Sequence, residues 1–163
     1  MGQPLDSQLS LPWDILQQAE EDALIQRAIA VLARRCSPGE PLASPEDVKA
    51  CLQLRLFDRP HEVFGCIFLT QRHAVIAIED IFTGTIDGAS VYPRVVVQRV
   101  LVHNAAALIC YHNHPSGNPE PSQADQRITE RLKKALALVD IRTLDHVVVA
   151  PAGCVSFAER GLL

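Results

Sequence analysis

Two histidines one residue apart, His112 and His114, stand in the stretch Tyr111 to Asp125, YHNHPSGNPEPSQAD. They follow a run of small and apolar residues, Ala105 to Cys110, that reads as a buried strand. Side chains alternate along a strand, so residues two apart share a face and both imidazoles can converge on one point. The next segment, Pro115 to Pro121, holds three prolines and a glycine and reads as a loop. Ser122-Gln123-Ala124-Asp125 then opens a helical pattern, and a carboxylate in its first turn can swing back toward the histidines. Two neutral imidazoles and one carboxylate (His112, His114 and Asp125) make a three-ligand set for Zn²⁺ that leaves a fourth position for water. Each part alone has an ordinary account, since Ser122 and Asp125 together also fit a capping box at a helix N-terminus. Their order is what points to a metal, because capping does not require histidines at the strand end.

The string is recognisable. His-x-His-Pro, six further residues and then Ser-x-x-Asp resembles the metal motif of the JAB/MPN (JAMM) metalloprotease superfamily. The longer string from His112 to Asp125 resembles the RadC branch more closely still, as do Gly84-Thr85, Val91-Tyr92-Pro93-Arg94, Asn104-Ala105-Ala106 and Asp145-His146. The resemblance runs from about Pro41 to Leu163. It implies a three-layer α/β/α sandwich around a mixed sheet and a zinc-dependent hydrolase that attacks an amide or isopeptide bond with activated water. It also implies a glutamate general base at the head of an earlier strand, a place that Glu62 fills, and an oxyanion-stabilising role for Ser122. From the residues alone Glu62 reads as a strand-edge glutamate facing water. Glu79 is its competitor, a charge set among Ile76, Ile78 and Ile81. The chain departs from the RadC pattern at Val95, where many members have an acid after Val-Tyr-Pro-Arg. Its first 40 residues also lack the glycine-containing helical hairpin that longer RadC-type proteins associate with DNA.

These side chains need a scaffold. Met1 to Pro12 has no periodicity and reads as a tail, and Trp13 to Cys36 carries an apolar stripe at helical spacing, one long helix or two short ones. Such a stripe is expected to pack on the domain or on a second copy of the chain. Ser37 to Pro41 is a break, which sets a boundary between an N-terminal segment, 1–40, and the metal-site domain, 41–163. Ser44-Pro45-Glu46-Asp47 starts a helix that runs to about Phe57. Glu62 to Thr70 and Ala74 to Phe82 read as strands joined by a hairpin at Gln71 to His73. Gly84 to Val91 is irregular or a short strand, and Pro93 opens a helix through Asn104. The helix from Ser122 continues to about Val139, followed by strands at Ile141 to Ala150 and Cys154 to Phe157. Hairpins and helix crossovers together predict a mixed sheet, in agreement with the resemblance.

Composition narrows the function. Five scattered cysteines without Cys-x-x-Cys argue against a zinc ribbon or a disulfide framework and suggest reduced thiols in a cytoplasm. There is no membrane-length apolar run and no signal-peptide pattern. A net charge of −4 speaks against broad nucleic-acid binding, which needs a basic face. Zinc deaminases are excluded, because His-x-Glu with a later Pro-Cys-x-x-Cys is absent. A zinc hydrolase acting on a peptide or protein is therefore the expectation. A DNA-repair accessory or nuclease, and a metal-free interaction module, are the alternatives. His61, His73 and His103 are expected at the surface or edge, and Asp145 is a candidate support for the site.

Overall fold

All seven residues of β1 (Val63–Leu69) are buried, as a strand covered on both faces must be. The computed structural model describes residues 12–35, 37–42, 44–56, 59–84 and 90–163. The tail expected at Met1 to Pro12 therefore lies outside them up to residue 11, as do 85–89 of the irregular segment. The chain divides into two compact units, the first ending at Val31 and the second running Leu32–Leu163. The helix α1 (Pro12–Arg35), most of which belongs to the first unit, is continuous, with Leu16, Leu24, Ile25 and Val31 exposed. No helix among the described residues is long and apolar enough to cross a membrane.

The second unit begins with α2 (Pro45–Leu56). Its N-terminus is capped by Ser44, whose hydroxyl oxygen accepts the Asp47 amide at 3.2 Å, and Glu46 and Asp47 complement the helix dipole. β1 turns through residues 70–74 into β2 (Val75–Thr83), and α3 (Pro93–Val102) follows. α3 ends at His103, and Asn104 then takes a left-handed φ of 49°, which asparagine tolerates, so β3 begins late and runs Ala107–Asn113. α4 (Gln123–Ala137) crosses over to β4 (Arg142–Ala150), which folds back as β5 (Gly153–Ser156). The strand order is β2-β1-β3-β4-β5, with β3 and β4 parallel and the other pairs antiparallel.

The sheet separates two cores. On one face Val48, Leu52 and Leu56 of α2 pack on Ile67, Ile109 and Val147; on the other, α3 and α4 bring Val96, Val100, Leu132 and Leu136 against Phe64, Cys66 and Leu108. This is the three-layer α/β/α arrangement around a mixed sheet. Each fully buried side chain of Leu or Phe size contributes roughly 1.5–3 kcal/mol by leaving water. Close packing is visible at Gly65, where any Cβ would run into the Tyr111 ring and the Glu79 carbonyl. The Tyr111 hydroxyl then donates to Asp80 at 2.7 Å, and burial drives its pKa upward. Cys66, Cys110 and Cys154 carry free thiols, whereas Cys51 is disulfide-bonded, which departs from the expectation of reduced thiols throughout.

Candidate metal centre

Register explains how residues far apart in the chain meet. β1 and β3 pair antiparallel with Phe64 opposite His112, so continuing the ladder by two residues sets Glu62 opposite His114. Glu62 is fixed by its backbone. Its carbonyl accepts the Gly84 amide at 2.7 Å, and the Asn113 side chain grips the residues on either side of it. That side chain accepts from the Val63 amide at 2.7 Å and donates to the His61 carbonyl at 3.1 Å. On the parallel side the His114 amide donates to the Val149 carbonyl at 2.8 Å, extending the β3–β4 ladder one residue past the strand. Both histidines are thereby held on a rigid sheet rather than on the loop that follows.

The acid arrives from α4. Ser122 caps this helix, its hydroxyl oxygen accepting the Asp125 amide at 3.1 Å while the Asp125 carboxylate accepts the Ser122 amide at 2.7 Å. Asp125 also faces the histidines, Oδ1 lying 3.3 Å from His112 Nε2 and Oδ2 3.5 Å from His114 Nε2. The capping box and a ligand role for Asp125 are thus compatible in one arrangement. Glu62, His112, His114 and Asp125 each offer an atom within 4.8 Å of all the others.

The chemistry of this set fits a metal ion. The Asn118 carbonyl lies 2.8 Å from His114 Nδ1 and can only accept, so Nδ1 carries a proton and Nε2 of the neutral ring turns a lone pair inward. That Nε2 stands 2.9 Å from His112 Nε2. Among the described residues neither Glu62 nor Asp125 is paired with a lysine or arginine, so acceptors converge without a cation. A proton partly answers this, since the hydrogen bond to Asp125 raises the pKa of His114. Burial opposes ionisation of Asp125, but hydrogen bonds from His112 and His114 in their protonated forms outweigh it and hold the carboxyl well below its usual range. Beside His114 opens a cavity of about 560 Å³, with Arg59, Gln53 and Pro151 among its lining.

Of the residues singled out from the sequence, the structure brings together His112, His114, Asp125 and Glu62, with Ser122 at the adjoining helix cap. Glu79 lies elsewhere, on β2, bonded to Arg99 and His103. His103, at the end of α3 beside the edge strand β2, is half-buried: its Nε2 donates to the Glu79 carboxylate at 2.8 Å and its ring lies 4.6 Å from that of Phe68. One expectation is corrected. Asp145 does not support the site, because alternation along β4 turns it to the opposite face. There it accepts from the His146 and Ala158 amides and the Ser156 hydroxyl. Its neighbour His146 touches the cluster instead, with Nε2 2.9 Å from His112 Nδ1. Sequence reading missed His146, Thr129 and Asn113. A signal existed for His146, a buried imidazole in the aliphatic strand HVVVA, and for Thr129, one helical turn beyond Asp125.

The three-layer α/β/α domain thus brings a His-x-His strand end to face the first turn of a helix, in a cluster that could hold a metal ion. The chain belongs to the RadC-like JAB domain family, which it matches over residues 42–162. It is 58% identical over 145 residues to a UPF0758 protein of Thioalkalivibrio sulfidiphilus, covering 89% of this chain and 65% of that protein. A UPF0758 protein of Azotobacter vinelandii is 54% identical with the same coverage. One of Vibrio cholerae is 52% identical over 147 residues, 90% of this chain and 92% of that protein. The chain thus spans just under two thirds of the length of the first two relatives.

Proposed function

We propose that this chain is a zinc-dependent hydrolase that cleaves an amide or isopeptide bond in a peptide or protein. The observation that carries the reading is the convergence of two imidazoles and two carboxylates within 4.8 Å, with no basic side chain paired to either carboxylate among the described residues. His112, His114 and Asp125 would hold the ion. Zinc in such a set supplies a Lewis acid that polarises a carbonyl and acidifies water. Glu62 is the base: its carboxylate accepts a proton from the attacking water and passes it to the leaving amine, which must depart as a neutral group. The Ser122 oxygen accepts from the Asp125 amide, which leaves its hydroxyl proton available to donate to the oxyanion formed at the scissile carbonyl. The cavity beside His114 offers a seat for the substrate chain, with Arg59, ion-paired to Asp80 at 3.2 Å, in its wall.

The test is a chelator-reversible cleavage assay on peptides and on lysine-linked isopeptides, with supercoiled DNA run alongside. Cleavage that disappears on metal removal, returns with zinc and is lost in Glu62→Gln supports the hydrolase. Nicking of DNA without peptide cleavage would transfer the site to the nuclease reading. Cleavage that survives complete metal removal would overturn the zinc mechanism.

A further inference from the structure

We infer that Thr129 and His146 are positioning residues that set the tautomer of His112, and so keep its inward nitrogen free to bind a metal. The inference rests on the reading of the cluster as a metal centre.

One chain of hydrogen bonds links the Asp125 backbone to His112 through Thr129 and His146. The Asp125 main-chain carbonyl can only accept, so the single hydroxyl proton of Thr129 goes to it, at 2.6 Å. Thr129 Oγ1 also lies 2.5 Å from His146 Nδ1, and with its own proton spent there it can only accept. His146 must therefore carry its proton on Nδ1. The ring is fully buried, its face against Phe157 at 4.8 Å and the edge of Phe64 at 5.5 Å. A neutral imidazole has one N–H, which leaves Nε2 as a lone pair aimed at His112 Nδ1, 2.9 Å away. His112 Nδ1 must in turn be the donor, and His112 Nε2 then presents its lone pair to the cluster, 3.3 Å from Asp125 Oδ1. The chain starts on the Asp125 backbone and ends at the Asp125 carboxylate. One turn of α4 thus delivers both an acid and the group that orients the imidazole opposite it.

Metal-binding histidines commonly donate their outer N–H to a carboxylate or a carbonyl. Here the acceptor is a neutral histidine, which fixes the tautomer without adding negative charge behind the ligand. A purely structural role for Thr129 and His146 would require no direction along the chain; this one requires a particular direction at every link.

Imidazole nitrogen NMR on the full ¹⁵N-labelled chain reads the tautomers directly, and zinc titration against a competing chelator reads their effect. In the wild type, His146 should be protonated on Nδ1, and in the zinc-loaded protein His112 should be too. Thr129→Val keeps the shape of the side chain but removes the hydroxyl, and should weaken zinc binding roughly 10–100-fold, the span seen for partners behind metal ligands. Thr129→Ser restores the hydroxyl and should restore most of the affinity. Protonation of His146 on Nε2, or zinc binding by Thr129→Val equal to wild type, overturns the inference. If Thr129→Val fails to fold, the wild-type spectrum decides alone. A wild-type chain that binds no zinc defeats the metal reading, while the His146 spectrum of that same protein still decides the tautomer.

Discussion

Two clusters in this domain use the same ingredients to opposite ends. On β2 and α3, the Glu79 carboxylate takes both arms of the Arg99 guanidinium, at 2.7 and 2.5 Å, and His103 Nε2 at 2.8 Å. Carboxylate and cation are matched, and the hydrogen bond from Arg99 lowers the pKa of Glu79. On β3 and α4, His112, His114 and Asp125 assemble a carboxylate and two imidazoles with no guanidinium, and Glu62 adds a second carboxylate. The first cluster is complete in itself; the second has an excess of acceptors. A carboxylate beside histidines does not by itself signal a metal. What distinguishes the two is whether the protein supplies the positive charge.

That contrast can be broken first at the two glutamates. Glu62→Gln retains shape but cannot take up a proton at neutral pH, so hydrolysis should fall by roughly two to four orders of magnitude with zinc still bound. Glu79→Gln should leave turnover near normal, because its partners are Arg99 and His103. The reverse pattern in steady-state rates on one substrate would assign the base to Glu79.

The contrast should next appear as proton competition. The pKa of His114 is raised above 6.5, so in the metal-free protein its proton persists to higher pH and zinc must displace it. Affinity should therefore rise with pH, by about tenfold per unit while that single proton is being displaced, and level off above the raised pKa. Calorimetry in buffers of different ionisation enthalpy should record the released proton. A flat affinity profile across that range would mean that the His114 proton is not the competitor.

The smallest effect belongs to the matched cluster. Its ion pair is partly exposed, so Glu79→Gln should lower the melting temperature by no more than about 4 °C and leave zinc binding unchanged. A shift in zinc affinity would show that the two clusters are coupled through the sheet.

Much of this was legible in the residues, for reasons that differ from element to element. The run VFGCIFL could be read as a buried strand because both its faces are covered, and Gln71 to His73 as its hairpin because polar residues interrupt two apolar runs. His112, His114 and Asp125 stood out through spacing, which survives folding because one strand and one helix cap carry all three. Glu62 needed the resemblance: nothing local distinguishes a strand-head glutamate, and only the β1–β3 register brings it opposite His114. His146 and Thr129 were hidden for a related reason. His146 comes beside His112 only through the β3–β4 register, which shifts between Leu108 and Ile109, and Thr129 reaches His146 only where α4 packs on β4; no periodicity in these segments encodes either. Asn113 read as a mere spacer between two histidines, although its side chain bonds the backbone on both sides of Glu62.

The central claim, that the β3–α4 cluster holds a cation the protein does not itself supply, is tested most directly by zinc stoichiometry. The metal-stripped full chain is titrated with zinc, and His114→Ala is treated identically. The wild type should take up about one zinc per chain, and His114→Ala should lose that site while keeping its circular dichroism spectrum, because the two cores on either side of the sheet do not depend on it. A wild-type chain that binds no zinc, or a folded His114→Ala protein that binds it as tightly as wild type, would contradict the account.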